Sequence, residues 1–378
     1  MKPVLDYLAN AESAAAALGY QDPALAPALQ QQALMFLALG YIEVFGTRVE
    51  SPDWVPHIPF YLPWGSPNPD DIYRFVPMDA GGTYRFWGRK GTAPVTLITM
   101  RKGGAHLGEI NGRTLGEIDL AAEPGDPDGA YEFILSAERP PGYAGLFYEL
   151  HADTQSLLYR SRTGNATHTD TTCFIQRLDV RPPPGVPNAK DTAHKIAMLA
   201  RYAIRQNELV LGHLNKARAR GGAASFVFDD QSGYGGVISQ RVLMHLFTLA
   251  EDEALILESE VPEEIRYWSV QLYDAHFTAI DFVFRQASLN GEQITLDSDG
   301  KVRLVVASRD PGVPNWLDCA GWPSAGLLWR WSYANRFPQP SVRKVKFGDL
   351  PADMPRIDAA TRREQLKKRT EYYQTRGR

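Results

Sequence analysis

The sequence predicts a mainly β protein with helices, an α+β chain built in two parts. Three observations lead there. Short runs of β-branched and aromatic residues recur between Ile72 and Asp179 and again from Glu253 to Phe347, broken by Gly, Pro and Asn-Gly or Asp-Gly pairs. Between these two series, residues 189–220 have the periodicity of one long amphipathic helix. The first fifty residues are Ala-rich and helical in character, and the composition changes sharply at Ser51. With 378 residues and 44% hydrophobic composition, the chain is long enough for two ordinary cores.

Residues 1–50 are expected to form a helical cap, with Leu34, Leu37, Ile42 and Val44 at roughly helical spacing up to Gly46. The segment SPDWVPHIPFYLPWGSPNPDD, from Ser51, holds too much proline for a helix, and its aromatic density implies an ordered, packed loop. It opens a β-rich N-terminal domain over 51–185, with strands IYRFV, TYRFWG, PVTLITM, YEFILS, LLYRSR and TCFIQRLDV. Gly81-Gly82, Asn111-Gly112 and Asp128-Gly129 punctuate these strands, and Pro182-Pro183-Pro184-Gly185 ends them. Residues 186–225 hold the linking helix. Its apolar side carries Ile196, Leu199, Ala203, Leu211 and Leu214, and Gly221-Gly222 is its stop. The C-terminal domain over 226–355 returns to strands: EALILES, RYWSVQLYD, a hairpin of EQITLD and KVRLVVAS around Asp299-Gly300, then LLWRWSYA and SVRKVKF. A Pro/Gly-rich loop covers 310–326, and 356–378 is a charged helix and tail. No internal repeat is visible.

Lys+Arg 40 against Asp+Glu 44 gives a net charge of -4, which provides no field for holding a phosphate backbone, so no nucleic-acid partner is expected. The one basic stretch, from Arg362 to Arg378, reads as a solvated helix and frayed tail. Two distant cysteines, Cys173 and Cys319, encode neither a disulfide framework nor a metal site and favour a reducing compartment. No segment approaches the ~18–20 apolar residues that span a bilayer, and the N-terminus has no basic region followed by an apolar run. The expectation is a cytoplasmic protein without a membrane partner.

Most standard constellations fail on spacing. There is no phosphate loop, and SGYGGVI at 232–238 lacks the third glycine of a dinucleotide fingerprint, so no nucleotide cofactor is expected. Gly321-Trp-Pro-Ser324-Ala-Gly326 has its first glycine one position too early for a nucleophile elbow. The histidines form no ligand pair, and Asp297-Ser-Asp299-Gly300 lacks the downstream Glu of a calcium loop, so neither a metal nor any other cofactor is expected.

What remains is the segment RDPGVPNWLD, with Asp310, Asn315, Trp316 and Asp318, followed by Trp322, Trp329-Arg330-Trp331 and Tyr333. Carboxylates, arginines and tryptophans on a loop stiffened by proline and glycine are a way to present a rigid site. Turn chemistry is the competing account, since Asp310 can cap a turn, Asn315 can bond backbone and Trp316 can be core. A second candidate is Asn68-Pro-Asp70-Asp71-Ile-Tyr73-Arg74, behind the rings of Phe60, Tyr61 and Trp64. Polar groups set among rings suit a pocket for a small molecule.

At these segments the chain resembles proteins carrying the paired domains of unknown function numbered 1254 (N-terminal) and 1214 (C-terminal). The matching pieces are NPDDIYRF at 68–75, TYRFWG at 83–88, AERPPGY at 137–143, DEALILE at 252–258, RYWSVQLYD at 266–274, DGKVRLVVASRDPGVPNWLDCAG at 299–321 and LLWRW at 327–331. The resemblance implies a β-rich N-terminal part and a jelly-roll-like antiparallel C-terminal sandwich. It supplies no catalytic residues.

Three functions compete. The first is a hydrolase or lyase without nucleotide cofactor, acting on a small aromatic, lipid-like or sugar-containing molecule. There Asp318 or Asp310 is the acid or base and Arg330 holds an anionic group, while Asn315, Trp316, Trp268, Tyr73, Arg74 and Trp64 contact substrate. The second is a non-catalytic carbohydrate or small-molecule binder on a β-sandwich scaffold. In the third the 310–318 loop is only a packing device, with Asn315, Trp316 and Asp318 buried and their polar atoms paired internally, and function lies at the interface of a homo-oligomer.

Overall fold

The computed structural model describes residues 1–17, 26–123, 125–181, 185–186, 188–219 and 226–376. The triple proline at 182–184 and the Gly221-Gly222 stop lie outside the described residues. Helices α1 (Lys2–Ala17) and α2 (Ala26–Phe45) precede strands β1 (Val55–Pro56), β2 (Asp71–Pro77), β3 (Tyr84–Arg89), β4 (Val95–Gly103), β5 (Asn111–Asp119), β6 (Ala130–Ser136), β7 (Leu146–Glu149), β8 (Ser156–Arg162) and β9 (Phe174–Arg177). After α3 (Ala189–Ala219) come β10 (Val227–Asp229), β11 (Gln240–Thr248), β12 (Glu253–Ser259), β13 (Ile265–Asp274), β14 (Ser288–Asn290), β15 (Val302–Ala307), β16 (Trp316–Asp318), β17 (Ser324–Ala334) and β18 (Ser341–Lys346). The chain closes on α4 (Ala359–Arg376). The fold is mixed α+β and mostly β, as the residue patterns predict.

The eighteen strands of the described residues form the same object twice. One sheet runs β1-β2-β8-β4-β5 and its counterpart β10-β11-β17-β13-β14; the second pair runs β7-β6-β3-β9 and β16-β15-β12-β18. Each strand of the first set corresponds to the strand nine places later, including the parallel pairs β6·β7 and β15·β16. Parallel neighbours normally need a crossover of a dozen residues or more. Here the connections are 137–145 and 308–315, AERPPGYAG and SRDPGVPN, whose Gly142 and Gly312 both take positive φ, 75° and 72°. The Pro-Gly content of the RDPGVPNWLD loop thus has a structural reason. No repeat was expected from the sequence, yet DGAYEFILSAERPPG at 128–142 and DGKVRLVVASRDPG at 299–312 carry it faintly.

Two further expectations change. EQITLD is not a strand, because the Asn290 and Asn315 side chains capture its backbone: Asn290 Oδ1 accepts from Gln293 N, and Asn315 bonds both Thr295 N and Thr295 O. Strand β15 pairs instead with β12 and β16. Asn111-Gly112 is not a turn but opens β5, across two register shifts from β4.

Each pair of sheets buries an apolar core. The first core includes Phe86, Ile98, Phe133, Leu157 and Tyr159; the second includes Trp268, Leu304, Leu317, Trp329 and Trp331. Side chains alternate across a strand, so β8 sends Leu157 and Tyr159 into the first core and Leu158, Arg160 and Arg162 the other way. Strand β17 likewise sends Leu327, Trp329 and Trp331 into the second core and Leu328, Arg330 and Ser332 out. These outward faces of the two five-stranded sheets meet one another instead of solvent.

The seam between them is largely polar, apart from a small apolar cluster of Val95, Leu97, Val237 and Tyr267. Arg162 clamps Asp71 through Nε at 2.5 Å and Nη2 at 2.8 Å, and its Nη1 donates to Gln240 Oε1 and Ser332 Oγ of the second half. Both partners of the ion pair are buried. Burial alone would lower the guanidinium's affinity for its proton, but the Asp71 charge outweighs it and holds Arg162 above the ordinary arginine range. Beside it, Asp70 accepts from Tyr267, Asn290 and Tyr373. The basic C-terminal stretch is not a solvated tail: Arg362, Arg369 and Arg376, two helical turns apart, all point inward. They donate to Asp310, to Ser288 and to Asp170 respectively. At the other edge of the seam, α1, α2 and α3 pack Tyr7, Phe36, Leu39 and Tyr202 against Met244 and Leu328. No helix among the described residues is long and apolar enough to cross a membrane.

Removing one partner of a buried ion pair leaves a bare charge, so Asp71→Ala is expected to cost about 3–5 kcal/mol in urea unfolding; a loss below about 1 kcal/mol would contradict the seam's importance. Asp274 gives a second test. Burial pushes its carboxyl up to about 6 from 3.8, against the N–H groups of Thr278 and His276. The folded chain therefore keeps a proton that the unfolded chain releases between pH 4 and 6, and stability falls as pH rises through that window. The difference in thermal stability between wild type and Asp274→Asn should change across pH 4–6 and be level above it.

Candidate functional site

The seam is not filled throughout. A cavity of about 120 Å³ lies between the two inner sheets, under the aromatic loop that follows β1. Four arginines line it: Arg101 from β4, Arg160 and Arg162 from β8, and Arg330 from β17. Arg160 and Arg330 are equivalent positions of the duplicated fold, two residues before Arg162 and Ser332 on the central strands. Around them stand Tyr73 of β2, His57 and Trp64 of the aromatic loop, Leu209 and Val210 of α3, and Phe277.

The charges do not balance. Arg162 has Asp71. Arg160 donates to Thr99 Oγ1 and to the Gly235 carbonyl, and Arg330 to Gln271 Oε1 and to the Ser66 carbonyl, so neither has a bonded carboxylate among the described residues. Arg101 is fully buried, and its Nε and Nη2 have no hydrogen-bond partner among the described residues. Burial, then the charge of Arg160, pushes the Arg101 guanidinium down to about 9, with the nearby Glu43 carboxylate opposing. Burial also lowers Arg160 and Arg330. Tyr73 is raised, by burial first and then by Asp71, so it stays a neutral phenol.

Other unpartnered polar atoms gather here: Trp64 Nε1, Ser66 Oγ and Asn111 Oδ1, all on lining residues. Backbone strain gathers here too. Of the non-glycine residues with positive φ, Ile58 (50°), Ser66 (50°) and Phe277 (62°) line the cavity, and such conformations cost on the order of 1–3 kcal/mol each. Gly235, at φ 89°, brings its carbonyl to Arg160, and a Cβ there would lie 2.9 Å from Asn111 and 3.2 Å from Arg101. On the far wall His57 is paired with Glu43 of α2, both fully buried. Burial lowers the imidazole, with Glu43 opposing, so the ring is neutral near pH 7.

The residues singled out in the sequence fall into two groups. Tyr73, Trp64 and Arg330 come together in the cavity. The others lie elsewhere. Trp268 stacks on Trp329 in the second core at 5.9 Å, and Arg74 is exposed. Asp310 accepts both Nε and Nη2 of Arg362 and caps Gly312 N. Asn315 bonds Thr295 and Arg303 carbonyls; Trp316 Nε1 donates to Ala307 O under the Arg362 guanidinium. Asp318 pairs with Arg285 and accepts from Ala320 N. The loop thus binds its own chain at every polar group named, and it does not share the cavity with Arg330. Arg101, Arg160, Arg162 and His57 escaped the sequence reading, as did the wall formed by SGYGGVI. Their one signal was LLYRSR, in which arginine alternates with core residues as Arg330 does in LLWRWS.

No protein of curated function matches the chain. Among solved structures, an uncharacterized protein from Burkholderia cenocepacia is similar over 92% of this chain and 96% of its own length, at 24% identity and a TM-score of 0.84, so the two share a fold. The VPA0106 protein from Vibrio parahaemolyticus covers 82% of this chain and 98% of its own, at 12% identity and a TM-score of 0.49. Within the second sandwich, residues 247–331, which carry Trp268, the 310–318 loop and Arg330, match the family of proteins of unknown function DUF1214.

Proposed function

We propose that this protein binds a small organic anion, a carboxylate or phosphate, in the cavity between its inner sheets, with Arg101 as the principal contact. The observation that carries the reading is a buried guanidinium whose Nε and Nη2 have no hydrogen-bond partner among the described residues, the nearby Glu43 charge offsetting its burial only in part. Leaving a charge buried and unpaired costs several kcal/mol, and the edge left bare, Nε and Nη2, is the one with which Arg162 clamps Asp71. Planar two-point recognition of a carboxylate or phosphate is what that edge suits. Arg160 and Arg330 add positive charge on the same wall. The volume, roughly four water molecules' share of liquid, favours an acid of a few carbons, with Ile58, Trp64 and Phe277 as its apolar side. An anionic substrate is thereby favoured over a neutral sugar within the hydrolase-or-lyase reading, and the N-terminal half is read as the domain numbered 1254 that supplies three of the four arginines.

A panel of two- to five-carbon carboxylates and inorganic phosphate should raise the melting temperature, as selective binding to the native state requires. Arg101→Met, which removes the two-point donor edge, should abolish that rise. A variant that keeps the shift would sink the reading.

One surface feature favours carbohydrate binding instead. Trp87 and Phe174 stack at 5.7 Å and 28° on the outer face of the first sandwich, and Phe174 is half exposed. Paired rings of this kind suit a sugar face. On that alternative, Trp87→Ala abolishes retention by an immobilised polysaccharide without altering the response to acids.

A further inference from the structure

We infer that His57, oriented by Glu43, is a catalytic base that removes the proton beside the carbonyl of a small 2-oxo acid held in the arginine cavity. The inference rests on the anion reading and names its substrate class. The backbone N–H of His57 donates to Tyr73 O, which pins the residue to β2, and its ring lies along Phe75 at 6.2 Å and 29°. Glu43 takes Nδ1, so Nε2 is the nitrogen left for a bound molecule. The next residue, Ile58, holds a left-handed backbone at φ 50°, a strained conformation that aims this part of the loop at the cavity.

A carboxylate that orients a neutral imidazole is the arrangement of a general base. No hydroxyl is bonded to Nε2 among the described residues, so the base has no protein nucleophile to activate and acts on the ligand itself. The surrounding cations fit that chemistry. Arg101 holds the permanent carboxylate; Arg160 and Arg330 supply the field for an oxygen that becomes negative during the reaction.

In the step, the C3–H bond breaks and its proton bonds to His57 Nε2. The electron pair forms the C2–C3 double bond, and the carbonyl pair moves onto oxygen as an enolate facing the guanidinium groups. Glu43 steadies the imidazolium. Return of a proton to C3 regenerates the acid, so the step needs no oxidant, reductant or second substrate. In D2O the imidazolium exchanges its proton, and the returned atom is deuterium.

Proton NMR of pyruvate and 2-oxobutyrate in D2O with the full chain reads this directly, beside melting curves with the same two acids. The expected result is loss of the C3 proton signal faster than in buffer, with His57→Gln slowing it on the order of 10²-fold or more while the melting shift remains. Glu43→Gln, which leaves the imidazole in place, should also bind and exchange slowly. That split between binding and turnover would not follow from a merely structural role, and Glu43→Gln alone suffices should His57→Gln not fold. Binding without exchange above buffer, or exchange undiminished in both variants, overturns the inference and leaves the anion reading standing. Absence of a melting shift with every acid of the panel overturns both.

Discussion

The structure depends on one constraint: the two inner sheets are buried on both faces. Each turns its apolar side chains into its own sandwich, which leaves the polar side of the strands to meet across the seam. A layer of arginine, glutamine, serine, aspartate and tyrosine cannot be stabilised by the hydrophobic effect and holds only if its groups satisfy one another. Arg162 does most of this, because a single guanidinium neutralises Asp71 and crosses to Gln240 and Ser332. Asp70 does the complementary task for the hydroxyls of Tyr267 and Tyr373, and through Tyr373 it draws in α4.

The duplicated topology explains why the seam is also where a site can form. Equivalent positions of the two halves face it, so a residue type used twice concentrates there. Asp71 and Gln240 are equivalent, and so are Arg162 and Ser332; in this pair one half carries the ions and the other the neutral partners that complete them. At the next inward position both halves carry arginine, Arg160 and Arg330, and like charges cannot complete each other. Adding Arg101 makes the imbalance larger. The same geometry that closes the seam at one level opens an electropositive cavity at the next.

Much of the fold was legible in the residues. Strands such as PVTLITM, EALILES and RYWSVQLYD and the helix at 189–219 stand where their periodicities place them. What was not legible was partnership. Alternation in LLYRSR is the same whether arginine faces water or another sheet, so Arg160 and Arg162 gave no sign of burial. The partners of the RDPGVPNWLD loop were hidden for a related reason. Its charged and aromatic groups look like a presented site, but the parallel return from β15 to β16 uses them on its own chain, with Arg362 arriving from a helix whose inward arginines recur every second turn. EQITLD failed as a strand because two asparagine side chains, Asn290 just before it and Asn315 farther along the chain, hold its backbone.

Stability and the proposed activity pull in opposite directions at this site. A folded chain gains nothing from Ile58, Ser66 and Phe277 in left-handed conformations, or from Arg101 Nε and Nη2, Ser66 Oγ and Asn111 Oδ1 without hydrogen-bond partners among the described residues. Each is a cost that the well-packed cores on either side must offset, and a seam optimised for stability alone would place apolar residues there. The costs are also of one kind: guanidinium and hydrogen-bonding groups held away from water, with a neutral imidazole among them. A preorganised polar pocket needs that feature, since groups already desolvated and fixed need little reorganisation when charge enters. The concentration of these costs around one cavity, and not their individual size, is what separates a binding site from imperfect packing.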